Sequence, residues 1–161
     1  MHTIIHHLKE HGWLIVEGRS QALPHQIVAR YSDLADYYFS IIQDVQYCLS
    51  PDKKQWFLTV PHYVGQADSA LRWNEIEQES LETAMGDRKW QAEIEAFWND
   101  HFPIYQSVRG RYEYAAISLV KERYGQVVMG YEPEYETVKV VAESVEAFIE
   151  QICKLHNEKQ G

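Results

Sequence analysis

The sequence predicts an α+β fold: a central antiparallel sheet, arranged as a meander, flanked by helices and closed by a C-terminal helix. Three runs rich in β-branched and aromatic residues lie at residues 112–120, 127–129 and 137–141, with Gly and Pro between them. Runs of this length between turn residues are typical of consecutive antiparallel strands. The period changes over residues 145–152, where apolar residues recur at i, i+3, i+4 and i+7. That pattern indicates an amphipathic helix.

Local signals support both parts of this prediction. Gly125 lies in the connection after the first run, and residues 132–134 (Glu-Pro-Glu) supply the turn before the third. Ser144 is placed to cap the final helix, with Glu146 in the first turn, where a carboxylate meets the positive end of the helix dipole. We expect this helix to be structural, with Phe148 at the centre of its apolar stripe.

Upstream of the meander, apolar spacing predicts short helices and strands. Ile4, Ile5 and Leu8 form one stripe of a first helix that ends at Gly12. Residues 13–16 then predict a short strand or an extended connector.

The next segment is partly ambiguous. Pro24 opens a helix that carries Ile27, Val28 and Tyr31. Residues 34–47 fit a helical period, but their content of Tyr, Ile and Val also suits a strand. We predict helix for the first half of this segment and leave the second half open.

One strand and two helices are predicted between this segment and the meander. Residues 56–60 predict a strand ended by Pro61. Residues 73–84 predict a helix, and residues 90–98 predict another that ends before Pro103.

Length and composition are those of a single soluble globular domain over residues 1–161. Hydrophobic residues make up 45% of the chain and charged residues 24%. The net charge is −9, from 24 acidic against 15 basic residues. We expect no nucleic-acid partner, because such binding needs basic surface. A basic protein partner is compatible with this charge, since opposite fields raise the association rate.

The cysteines and the N-terminus predict a reduced, cytoplasmic setting. Cys48 and Cys153 form neither a CxxC motif nor a disulfide framework. The N-terminus lacks the basic region and apolar core of a signal peptide, and no apolar run approaches the ~20 residues of a membrane helix. We expect no membrane association.

Motifs for catalysis are missing from the sequence. No GxSxG, GxxxxGK[ST] or GxGxxG is present, and neither cysteine lies in a recognised reactive context. His2 and His6 are four residues apart, as are His7 and His11, but Leu8 stands where an HExxH site needs Glu. We expect solvated histidines, no metal, no cofactor and no enzymatic activity. The alternative is a metal-dependent hydrolase that uses the acid-rich and His-rich segments.

Two acidic segments, residues 68–82 and 131–150, are candidates for binding a partner. Acidic runs usually form a solvated face, but an exposed aromatic residue on an acid-lined surface is typical of an interface anchor for a basic partner. Trp73 is such a candidate, although we favour a core position for it. The predicted partner-binding residues are Asp68, Trp73, Glu75, Glu77, Glu79, Glu132, Glu134 and Glu136.

Several segments, taken in order and spacing, carry a family resemblance. They are Leu23–Pro24, Trp56–Leu58, Pro103–Ile104, Gly110–Ile117, Gly125–Gly130, Glu132–Glu134 and Val141–Ile149. Together they resemble the SUKH superfamily, which contains fungal Smi/Knr cell-wall regulators and many bacterial immunity proteins. The agreement is good over residues 103–152 and patchy over residues 23–100. Val145 stands where the family more commonly has Phe or Leu.

The resemblance implies an α+β fold without catalysis that binds other proteins. Many bacterial members are encoded beside polymorphic toxins, often nucleases, and neutralise them by direct contact. We therefore expect an immunity protein that binds a basic toxin domain; the alternative is a general scaffold or regulatory module. The matched motifs are scaffold residues, so the resemblance assigns no binding residue. We expect partner specificity in residues 31–100.

Overall fold

A single antiparallel sheet of seven strands runs through the part of the chain that the structure describes, residues 1–19 and 21–160. In this computed structural model the strands lie side by side in chain order, so the sheet is one continuous meander. The strands are β1 (Leu14–Glu17), β2 (Val45–Leu49), β3 (Gln55–Phe57), β4 (His101–Ser107), β5 (Glu113–Ser118), β6 (Val127–Tyr131) and β7 (Lys139–Ala142). The predicted fold class is confirmed.

Helices cover both faces of the sheet. They are α1 (Thr3–Glu10), α2 (His25–Ile42), α3 (Val60–Tyr63), α4 (Glu75–Thr83), α5 (Arg88–Asn99) and α6 (Val145–Gln160), with a 3₁₀ turn at Lys121–Arg123. Ser144 caps α6 as predicted, because its hydroxyl accepts the backbone N–H of Ala147 at 3.1 Å. Within the described residues, none of the helices has the length and apolar character needed to span a membrane.

Side chains alternate between the two faces of the sheet. On the face covered by α1, α2 and α6, Phe57, Tyr105 and Phe148 pack within the larger apolar cluster. On the face covered by α4 and α5, Trp98 and Tyr114 belong to a smaller cluster, with ring centroids 4.8 Å apart. The candidate site lies on this second face.

Two strands differ from the sequence prediction. The pattern does not predict β4, because Pro103 lies inside it and proline cannot donate to a strand ladder. The ladder between β4 and β5 shifts register between Pro103 and Tyr105, and such a bulge accommodates a proline. β3 is shorter than predicted: it ends at Phe57, and Thr59 caps the short helix α3 instead of continuing the strand.

The ambiguous segment, residues 34–47, divides between two elements. α2 ends at Ile42 and β2 begins at Val45, so helix is confirmed for the first half and the second half is strand. Tyr38 is fully buried in α2, and its hydroxyl donates to the carbonyl oxygen of Leu58 at 2.6 Å. This bond satisfies the polar end of a core residue that the sequence pattern could place equally well in a strand.

Candidate partner-binding surface

One side of α4 carries three carboxylates at helical spacing. Ile76 and Ser80 are buried, and Glu75, Glu79 and Glu82 lie on a different side of the helix because of the 3.6-residue period. Glu82 is exposed, and the other two side chains are partly exposed. This side of α4 is therefore negatively charged.

The turn between β6 and β7 folds back over the sheet face that α4 covers. Tyr114 of β5 donates a short hydrogen bond from its hydroxyl to the carbonyl oxygen of Tyr135 in the turn. A Cβ on Gly130 would lie 2.6 Å from that same oxygen, so only glycine allows this close approach. The turn carries Glu132, Glu134 and Glu136.

Direct contacts join α4 to this turn. The hydroxyl of Ser80 donates to Glu136 Oε2 at 2.9 Å, and the Tyr135 hydroxyl is hydrogen-bonded to the carboxylate of Glu79. Parts of the two acidic segments predicted from the sequence, within residues 75–82 and 132–136, therefore form one surface. We call it the acidic surface; its residues are Glu75, Glu79, Glu82, Glu132, Glu134 and Glu136.

The pKa values of two carboxyls in the acidic surface are raised, in both cases chiefly by burial. Burial raises the pKa of Glu79, and the neighbouring carboxylates of Glu75 and Glu132 raise it further, against the lowering effect of the Tyr135 hydrogen bond. Burial also raises the pKa of Glu136, which its hydrogen bond from Ser80 partly offsets. Ionised carboxylates are held close together here at a cost in free energy.

Two arginines lie at the margins of the acidic surface and are already paired. Arg72 Nε donates to Glu75 Oε2 at 2.8 Å. Arg111 donates from Nε to Glu113 at 3.2 Å, and its guanidinium lies 3.5 Å from the ring centroid of Tyr131. Tyr131 is 47% exposed. Sequence reasoning missed this aromatic residue, although its position at the end of β6, directly before Glu132, is the available signal.

Glu77 does not reach the acidic surface, because it faces inward from α4. Its carboxylate accepts two hydrogen bonds from Arg30 of α2, at 3.0 and 2.7 Å. Arg30 Nε also donates to Asn99 Oδ1 of α5 at 2.9 Å. Glu77 therefore ties three helices together, which is a structural role and leaves it unavailable to a partner.

Asp68 and Trp73 lie in the segment that precedes α4. The backbone N–H of Asp68 donates to the Tyr47 hydroxyl at 3.2 Å, and the Asp68 side chain is exposed. Trp73 is half-buried, with its ring centroid 5.8 Å from that of Tyr63. Trp73 packs against the core, the position favoured from the sequence, instead of projecting from the acidic surface.

The histidine pairs lie apart from this surface, on and beside α1. The rings of His7 and His11 have centroids 5.2 Å apart, and His11 Nδ1 donates to the carbonyl oxygen of His7 at 2.8 Å. Among the described residues, no three His, Cys, Asp or Glu side chains are grouped so that they could hold a metal ion. The absence of metal and of catalysis stays a prediction.

Comparisons with protein-family models, curated proteins and solved structures yield no match to this chain. The SUKH resemblance therefore rests on the sequence segments alone.

Proposed function

We propose that this chain is a non-catalytic protein-binding domain that captures a basic protein on its acidic surface. Following the SUKH resemblance, the partner is a basic toxin domain and the chain is its cytoplasmic immunity protein. The observation that carries the proposal is the junction of α4 with the β6–β7 turn, through Ser80, Tyr135, Glu79 and Glu136. This junction gathers the carboxylates of two distant segments.

Repulsion among these carboxylates costs free energy in the isolated protein and opposes the hydrogen bonds that Glu79 and Glu136 accept. Burial, and after it the neighbouring carboxylates, raises the pKa of Glu79 and so disfavours its ionised form. A cationic partner would reverse the sign of this effect, because each carboxylate would then gain an opposite charge. The arrangement is therefore suited to a complex more than to the free chain.

Tyr131 and Arg111 suggest how a partner's arginine would be received. Arg111 stacks on the exposed Tyr131 ring while pairing with Glu113. The same combination of aromatic face and carboxylate favours arginine at protein interfaces. Because Arg111 already occupies this combination, we expect the partner to present arginine side chains to the carboxylates of the acidic surface itself.

The test is binding kinetics with the protein encoded by the neighbouring gene, using two variants of equal charge. The surface variant carries Glu79→Gln, Glu82→Gln and Glu134→Gln. The control variant carries Asp33→Asn, Glu143→Gln and Glu150→Gln, three exposed acids outside the acidic surface. Both variants remove three negative charges, so a difference between them reports position and not net charge.

We expect the surface variant to associate at least ten-fold more slowly than the control variant, because local opposite charge steers the encounter. Equal association rates for the two variants would remove the acidic surface from the mechanism. If the neighbour's product does not bind the wild-type chain at all, the immunity assignment fails.

A further inference from the structure

A second site lies outside the acidic surface, in a cleft of about 330 Å³ between α3 and the segment that leads to α4. Its volume is within the range of small-molecule sites. His62, Tyr63, Leu71, Trp73 and Asn74 are among the residues that line it. The inference drawn from this cleft is independent of the function proposed above.

His62 has a fixed tautomer with an unused donor. The backbone N–H of Thr59 donates to His62 Nδ1 at 3.1 Å. Because a backbone N–H can only donate, Nδ1 must be an acceptor, and the proton of the neutral ring is on Nε2. His62 is 5% exposed, and in the described part of the chain no acceptor is hydrogen-bonded to its Nε2–H. Nε2 is not among the fully buried, partnerless polar atoms of the described residues, so this N–H is accessible and available to the acceptor of a ligand in the cleft.

The aromatic walls of the cleft are held in place by hydrogen bonds. The hydroxyl of Tyr63 donates to the carbonyl oxygen of Pro103 at 2.7 Å, which fixes the buried ring. The side-chain amide of Gln106 donates to the carbonyl oxygen of Arg72 at 2.8 Å, which fixes the backbone beside Trp73. The Tyr63 and Trp73 rings are tilted by 57° to each other. The cleft is therefore preformed, which lowers the entropic cost of binding.

The charges around the cleft favour a neutral ligand. Arg72 is already paired with Glu75, and the chain has a net charge of −9, so an anion gains no free cation here. Ser69 and Asn74 supply further neutral polar groups. The carboxamide of Asn74 makes no capping bond to α4 and can both donate and accept.

We propose that this cleft binds a neutral, planar nitrogen heteroaromatic ring, whose ring nitrogen accepts a hydrogen bond from His62 Nε2–H while its faces contact Trp73 and Leu71. The acceptor pairs with a donor that no described protein group uses, and aromatic and aliphatic walls suit a flat ring. Asn74 at the rim adds a second hydrogen bond to a substituent on the ring.

Two probes of the same shape test the acceptor requirement. Benzimidazole is neutral at pH 7.5 and carries an acceptor nitrogen, whereas indole is the same bicycle without one. Each is titrated to 5 mM into ¹⁵N-labelled protein, and the indole N–H resonance of Trp73, assigned with Trp73→Phe, reports binding. We expect benzimidazole to bind about ten-fold more tightly than indole, the fold-change of one neutral hydrogen bond. Equal affinities, or no shift with either probe, would overturn the proposal.

A variant that stays folded but lacks the Nε2–H donor tests the role of this hydrogen bond. His62→Asn keeps an acceptor near the Nδ1 position for the Thr59 N–H and removes the Nε2–H donor. We expect it to abolish the preference for benzimidazole while the Tm stays within a few degrees of wild type. The control is His25→Asn, an exposed histidine outside the cleft, which should leave both affinities unchanged. A preference that survives in a folded His62→Asn protein contradicts the assigned hydrogen bond.

Discussion

The two faces of the sheet are packed by different kinds of contact. Under α6, aromatic rings meet one another: Phe148 lies 6.0 Å from Phe57 and 5.4 Å from Tyr105, centroid to centroid. Beside α4 and α5, the contacts include the Arg30–Glu77 ion pair as well as apolar side chains. The first face owes its stability to buried area, and the second combines a smaller core with charge. Substitutions should therefore act on the two faces through different physical terms.

The largest effect is expected at Phe148. The ring is 3% exposed within the larger cluster, so Phe148→Ala should cost about 3–5 kcal/mol of unfolding free energy through lost burial and a cavity. Urea unfolding followed by circular dichroism measures this loss. An unchanged midpoint would show that α6 is not an integral part of the core.

On the face covered by α4 and α5, replacing one partner of the Arg30–Glu77 ion pair should lower stability more than replacing both. Arg30→Met leaves Glu77, whose side chain is 8% exposed, as an uncompensated buried carboxylate, and we expect a loss of about 3 kcal/mol. Adding Glu77→Leu should restore most of that stability, because apolar replacement of a buried pair is often neutral. The double-mutant cycle is measured by urea unfolding. If the double variant is as unstable as the sum of the single variants, the two side chains are not coupled.

The buried histidine His62 should make stability depend on pH. Burial lowers its pKa to about 4, below the value of about 6.5 in an unfolded chain. Between these values the unfolded state binds more protons, so stability is complete above about pH 6.5 and falls as the pH drops toward 4. The loss due to His62 is at most about 3 kcal/mol, at 1.36 kcal/mol per pKa unit.

Unfolding free energies at pH 7.0 and pH 4.5 check this dependence. We expect His62→Asn to have a smaller difference between the two pH values than wild type. Burial also lowers the pKa of His101, whose Nε2 accepts a hydrogen bond from Arg123 at 3.1 Å. His101 therefore accounts for part of the pH dependence of stability that remains in His62→Asn. An identical pH difference in His62→Asn and wild type would contradict a neutral His62.

The smallest expected effect on unfolding free energy is an increase in stability. Glu79→Gln removes a like-charge neighbour of Glu75 at i, i+4 on α4 and should stabilise the free protein by about 0.2–0.5 kcal/mol. The same substitution should slow association with the basic partner. Thermal unfolding at low salt measures the first effect. A destabilised Glu79→Gln variant would mean that the Tyr135 hydrogen bond outweighs the repulsion.

The sequence predicts the local elements of this fold better than their assembly. The C-terminal meander, the cap at Ser144 and the helix after it follow from periodicity and turn residues, which act over a few positions. The sequence pattern does not predict β4, because Pro103 lies at a bulge that is visible only in the pairing of β4 with β5. A contact with a strand that is distant in sequence leaves no signal in the local residue pattern.

The candidate site shows the same limit. Both acidic segments are visible in the sequence, but their union depends on Ser80 reaching Glu136, 56 positions away. The sequence pattern also groups Glu77 with Glu75 and Glu79, although the helical period places Glu77 on the inner side of α4, where Arg30 meets it. The pairing of Glu77 with Arg30 cannot be predicted from a local pattern, because it joins two helices that are distant in sequence.

Capture of a basic partner by long-range attraction to the acidic surface requires an association rate that depends on salt. The association rate with the neighbouring gene's product is measured from 0.1 M to 1 M salt, over which the screening length falls from about 10 Å to about 3 Å. We expect a steep fall in the rate for the wild type and the control variant, a shallow fall for the surface variant, and dissociation rates that change little with salt. Tight binding with an association rate that is independent of salt, and equal in all three proteins, would rule out electrostatic capture by the acidic surface.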